Sequence, residues 1–319
     1  MFQYDDPTVA ATLPTPAAAG TAGYFTNGSA GSGTPATILT ADFMNAVMLE
    51  LLNVVTASGA TPSKTSQSQI LTAMKSMFSP AVGTVRNLVM SITAASATAT
   101  LTADEITVET ALGGTPFKLA SFNKTINLAT TGAGGMDTGT APVTGYVALY
   151  AIYNPATATA ALLATNATAA VQPNVYGGAN MPAGYTASAL VSVWPTNASK
   201  LLLIGFQADR LINIAPIFAL SANVSQATSI ALAVPVPLNA KSISGYELIS
   251  STIAFSGSMS IAATASQLGQ VSFQCSAAAN APVSGQFSLL MATPQTLFYN
   301  NSISSGTPSY QIVISSYTF

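Results

Sequence analysis

No charged side chain follows Glu247 in a chain that runs on to Phe319. Folded β proteins ordinarily use charge to stay soluble and to block pairing between strand edges. A long charge-free stretch must therefore cover its surface with other copies or present a neutral, hydrogen-bonding face. The rest of the chain is scarcely more ionic. Of 319 residues only 6% are charged, against about 25% in an ordinary domain. The formal net charge is −2, histidine is absent, and Cys275 is the single cysteine.

These absences exclude several kinds of chemistry. No nucleophile system that relies on histidine can be assembled. A Cys/His zinc site and an internal disulfide are likewise excluded. Too few basic residues are present to neutralise phosphates, so nucleic acid is not an expected partner. A membrane helix needs about 18 consecutive apolar residues. The longest apolar runs, Leu201–Phe206 and Ile230–Leu238, fall well short, so no membrane insertion is expected. The opening Met-Phe-Gln-Tyr-Asp-Asp-Pro has neither the basic nor the apolar region of a signal peptide.

Periodicity divides the chain. Residues 1–36, rich in Pro, Gly, Thr and Ala, read as an extended arm. Residues 37–80 read as two helices. Thr40 is placed to cap the first, with Asp42 in its opening turn, and Met44, Met48, Leu51, Leu52 and Val55 form an apolar stripe that stops at Gly59. The second is predicted over Pro62–Phe78, with Thr61 as its cap and Pro62 at its first position.

After Pro80 the period becomes two. Residues 81–215 read as a central β domain. In it Glu105–Thr110 alternates as a half-exposed strand, Gly145–Tyr153 is apolar on both faces, and Ala189–Trp194 and Leu201–Gln207 read as core strands. Residues 216–245, with Pro235 and Pro237, read as a connector. Residues 246–319 read as a distal, uncharged β-sandwich of short strands: Thr252–Ser256, Met259–Ala263, Gln270–Cys275, Gln286–Met291, Thr296–Tyr299 and Tyr310–Phe319. The expected fold class is mainly β. An extended N-terminal arm and a short α-helical pair precede antiparallel sandwich- or barrel-like domains, assembled as a trimer.

The acids do not form a catalytic pair on sequence grounds. Asp104 and Glu105 are adjacent, so a strand sends them to opposite faces. Glu105 and Glu109 share what reads as a solvated face, and Asp137 sits in a Gly/Thr-rich turn. Asp209-Arg210, an adjacent ion pair, reads either as a bridge between subunits or as a solvated pair that contributes little. No enzyme activity, catalytic residue, metal site or cofactor is expected. Trp194, and Cys275 alternating with Val271 and Phe273, read as core. Aromatic and amide groups in exposed loops grip neutral sugars without charge. Tyr299, Asn300 and Asn301, read as a turn between distal strands, are the receptor-contact candidates.

The N-terminal third carries an ordered series of motifs. They are Gly23-Tyr24-Phe25-Thr26, Gly33-Thr34-Pro35-Ala36-Thr37 and Thr40-Ala41-Asp42-Phe43-Met44-Asn45-Ala46, followed by Asn53-Val54-Val55, Thr61-Pro62 and Gln69-Ile70-Leu71. This series resembles the opening of tail-fibre proteins of tailed bacteriophages, with Phe43 where tryptophan is usual. Pro142–Tyr153, Tyr176–Asn180 and Trp194 resemble a block of such fibres more loosely. The resemblance implies a homotrimer in the virion, at the tail tip or baseplate periphery. The arm would dock to tail or baseplate proteins through Gly23, Tyr24, Phe25, Asp42, Phe43 and Asn45, and the distal domain would meet a host-surface glycan or protein. The alternatives are a structural baseplate or collar protein that binds only virion partners, and a glycan-degrading tailspike.

Overall fold

The computed structural model describes residues 2–319. The chain is mainly β and divides into two compact units, one ending at Ser79 and one spanning Pro80–Phe319.

In the first unit, the segment ahead of the helices is almost entirely exposed. Asp6 folds a turn there by accepting from the Thr8 amide and hydroxyl, and Ser29 and Thr34 close a small loop. Helix α1 (Ala41–Ala57) begins where its cap predicts: the Thr40 hydroxyl accepts from the Phe43 amide. Beyond it Gly59 takes a positive φ of 79°, which ends the helix. Helix α2 is shorter than expected, Gln69–Met77 rather than Pro62–Phe78. The residues between are Ser- and Thr-rich, and side chains take over their backbone groups. Gln69 bridges the stretch, accepting from the Ser63 amide and donating to the Thr61 carbonyl. Such local bonds compete with the helix ladder.

The second unit is built wholly of antiparallel strands: β1 (Val85–Arg86), β2 (Val89–Ile92), β3 (Thr98–Glu109), β4 (Pro116–Asn127), β5 (Tyr146–Asn154), β6 (Thr159–Asn166), β7 (Ala187–Pro195), β8 (Gly205–Ala208), β9 (Leu211–Ala222), β10 (Gln226–Ala233), β11 (Ser242–Ser251), β12 (Phe255–Ala262), β13 (Val271–Ala277), β14 (Val283–Leu290), β15 (Thr296–Ile303) and β16 (Pro308–Thr318). A 12-stranded sheet runs β14-β11-β16-β9-β8-β2-β3-β7-β5-β6, with β1 and β4 also paired to β3. A four-stranded sheet runs β10-β15-β12-β13. The Tyr317 hydroxyl, on β16, donates to the Val193 carbonyl of β7 at 2.6 Å. These strands are not neighbours in the order, so the large sheet curls until its inner faces meet.

Two of the three strands read as core are core. β5 and β7 are buried along both faces from Val147 to Ile152 and from Ala187 to Pro195, and Trp194 has no exposed surface. Two expectations are corrected. Residues 201–204 lie outside any strand, and only Gly205–Ala208 pairs as β8. The expected connector at 216–245 instead holds the second half of β9, all of β10 and the start of β11. Pro216 reads as a strand break in the sequence. It lies where the β9–β16 register shifts between the pairs Ile314↔Ile217 and Ser316↔Asn213, a bulge that tolerates a residue without an N–H. Since β9 and β11 both pair with β16, the expected distal domain is not separate: β11, β14 and β16 continue the large sheet, while β10, β12, β13 and β15 form the smaller one.

Candidate docking and recognition sites

The first unit leaves its apolar side chains uncovered. Among its described residues only Leu52, Val55 and Ala73 are buried hydrophobics. Phe25, Ile38, Phe43, Met44, Val47 and Leu71 stand exposed, and Tyr24 is 100% exposed. A groove of about 920 Å³, lined by Phe2, Tyr4, Met44, Met48 and Ile70 among others, runs between the N-terminal segment and the helices. Lys64 and Asp5 close one side with a 2.7 Å ion pair. That hydrogen bond holds the Asp5 carboxyl below its usual range.

The residues implied as docking contacts take different places here. Phe25 and Phe43 meet edge to face at 5.2 Å between centroids, so the arm touches the start of α1 through this pair. Asp42 accepts from the Ala17 amide at 2.9 Å, a second tie. Asn45 lines the groove. Gly23 has open space around its α-carbon.

The distal candidates need correction. Tyr299, Asn300 and Asn301 are not a turn but the middle of β15. Alternation turns Tyr299 and Asn301 inward, where both are buried, and leaves Asn300 on the outer face. Burial pushes the Tyr299 phenol up. Asn301 accepts from the Gln226 amide at 2.6 Å, where the β10–β15 register shifts, so its amide serves the sheet. The half-exposed aromatic of this strand is Phe298, which the sequence reading passed over. On the same outer face serines pair across strands: Ser256 with Ser276, Ser258 with Ser302, and Ser260 with Ser272. Their hydroxyls satisfy one another. Phe298 and the Asn300 amide lie beside Gln267 and Gln270 on a patch with no cavity of its own.

Four of the other carboxylates brace loops. Asp104 accepts from Asn87, and Asp209 from the Leu88 amide. Glu109, read as solvated, is buried and accepts from the Gly113 amide inside the β3–β4 turn. Arg210 does not pair with Asp209. Its guanidinium donates to the Gly83 carbonyl and lies 5.1 Å from the Phe319 ring centre.

Asp137 accepts from the Tyr176 hydroxyl at 2.8 Å, and the Tyr176 ring meets Tyr150 edge to face. Burial, then this bond, pushes the Tyr176 phenol up to about 12. The contact ties the loop between β6 and β7 to the loop between β4 and β5. Tyr176→Phe is expected to cost about 1 kcal/mol and to speed amide exchange in residues 168–186. Hydrogen-exchange mass spectrometry checks this, and unchanged exchange there would refute it.

Glu247, which sequence reasoning marked only as the last charge, has no exposed surface, and neither carboxyl oxygen has a hydrogen-bond partner. The alternation of β11 that sends Glu247 inward was its one signal in the sequence.

No family model matches the chain, and no curated protein matches it. Among solved structures it is similar at 9% identity to a Bacillus thuringiensis Cry1Da tryptic core variant, over 78% of this chain and 54% of that one, with a TM-score of 0.22. The insecticidal delta-endotoxin Cry8Ea1 of Bacillus thuringiensis gives 12% identity over 73% and 52%, with a TM-score of 0.23. The T13 IBDV viral particle gives 11% identity over 76% and 72%, with a TM-score of 0.25. The chain spans about half the length of the two toxin structures. Scores this low establish no shared fold.

Proposed function

We propose that the chain is an attachment protein of a bacteriophage virion, a tail fibre. It is held at the tail or baseplate by the unit ending at Ser79 and presents the Pro80–Phe319 β unit to the host surface. The observation that carries this reading is the uncovered apolar surface of the first unit. A segment whose described residues include only three buried hydrophobic side chains gains its stability from partners. The motif series from Gly23 to Leu71, similar to that of tail fibres, lies on this same unit. Copies of the chain in a trimer and tail proteins are the partners that such a surface fits. On the second unit, the outer face around Phe298 and Asn300 replaces Tyr299 and Asn301 as the receptor contact. It offers a flat apolar ring, free amides and no charge, which suits a neutral glycan.

The test uses the full chain with its mass in solution, its binding to host and non-host cells, and its block of phage adsorption. A trimer that binds host cells and blocks adsorption is the expected result, and Phe298→Ala with Asn300→Ala should weaken binding about tenfold or more. A trimer that joins tails but binds no cell would move the assignment to a structural baseplate protein. A monomer that joins neither tails nor cells would refute the attachment reading.

A further inference from the structure

The interior around Glu247 is mostly apolar and uncharged. Across the strands it faces Gly285 on β14 and Ile312 on β16. Ile243, Ile249 and Ser251 share its buried face of β11, and the Phe273 ring of β13 covers Gly285. β12 of the smaller sheet also packs against β11. Charged neighbours are missing from every one of these elements. β12 and β14 carry no titratable side chain. β16 contributes Tyr310 and Tyr317, β15 Tyr299 and β13 Cys275, and burial pushes all four up, so they stay neutral at neutral pH. Tyr246, next along β11, points to the opposite face.

A carboxylate enclosed in this way, with no hydrogen-bond partner from the protein, is strongly disfavoured, whereas the protonated acid is tolerated. We propose that Glu247 is a proton-operated clasp: with its proton on, the two sheets close over it, and loss of the proton loosens β11, β14 and β16 against the smaller sheet. The charge-free interior makes the device selective, because no other group there changes charge near neutrality.

Burial alone raises the Glu247 carboxyl from 4.5 to about 7. The unfolded chain gives up this proton near 4.5, and the folded chain keeps it until near 7. Between those values the folded form holds the extra proton, so folding weakens as pH rises, tenfold per unit and about 300-fold in all. The stabilisation is complete below 4.5 and gone above 7. This inference stands independently of the attachment reading, since it concerns only the interior of the second unit.

The full chain and Glu247→Gln decide it by two readouts. Infrared difference spectra of the wild type are expected to show a protonated carboxylic acid at pH 6 that disappears by about pH 8.5 and is missing from the variant. Amide protection in β11, β14 and β16, measured relative to the variant at each pH, is expected to fall about tenfold between the same two values. A wild type with no acid band at pH 6, or a wild-type-to-variant protection ratio that does not change with pH, would overturn the proposal. If the variant does not fold, the wild-type band decides alone.

Discussion

Gly245→Ala is expected to destabilise the second unit by about 3 kcal/mol or more, an unusual cost for one methyl group. Gly245 lies on β11 where its register against β16 shifts, between the pairs Ser244↔Ser316 and Gly245↔Ile314. A Cβ there would run into the Val313 carbonyl oxygen and its backbone carbon. That obstacle is main chain of a strand paired on both sides, so no side-chain rotation relieves it. Urea unfolding measures the effect as a fall in midpoint at unchanged slope. Gly177→Ala is the control: the added carbon meets only Pro173, at an ordinary 3.7 Å, and should cost little. An equal loss at both positions, or a Gly245 loss below about 1 kcal/mol, would contradict the packing described.

Trp194→Ala is expected to cost about 3–5 kcal/mol. The indole is fully buried, lies against Gly205 and donates to the Leu203 carbonyl at 2.9 Å. Trp194→Phe fills much of the space but leaves that carbonyl without its donor, and should cost about 1–3 kcal/mol. The chain has one tryptophan, so its emission reports this site alone. Blue-shifted, quencher-resistant emission is expected in the wild type. A solvent-exposed spectrum would show that the core does not close as described.

How much was legible in the sequence depended on whether local pattern and tertiary demand agreed. α1 was legible to its cap, because Thr40, Asp42 and Gly59 act within one turn of the helix ends. β5 and β7 were legible because burial on both faces leaves continuous apolar runs. β9 and β10 were not, since Pro216, Pro235 and Pro237 read as breaks, while the fold absorbs Pro216 in a bulge. The pair Asn300-Asn301 read as a turn for a similar reason. Its second amide bonds the Gln226 amide where β10 slips register, a demand set by a strand about 75 residues earlier. At Glu247 the alternation of β11 pointed inward, but the completeness of its enclosure depends on β13, β14 and β16, which lie far along the chain.

The position of β16 constrains how this protein is made. β16, far along the chain from both its partners, lies between β11 and β9, inside the large sheet rather than at its rim. A ribosome adding about 5–20 residues per second therefore exposes both flanking strands for seconds before their shared neighbour emerges. During that interval β9 and β11 present open edges, and β11 carries Glu247 with its face uncovered. Pairings this distant in sequence form slowly. Nascent chains are expected to leave β9 and β11 unjoined until β16 emerges, and deletion of β16 should leave the split sheet a substrate for chaperones rather than a trimmed native protein.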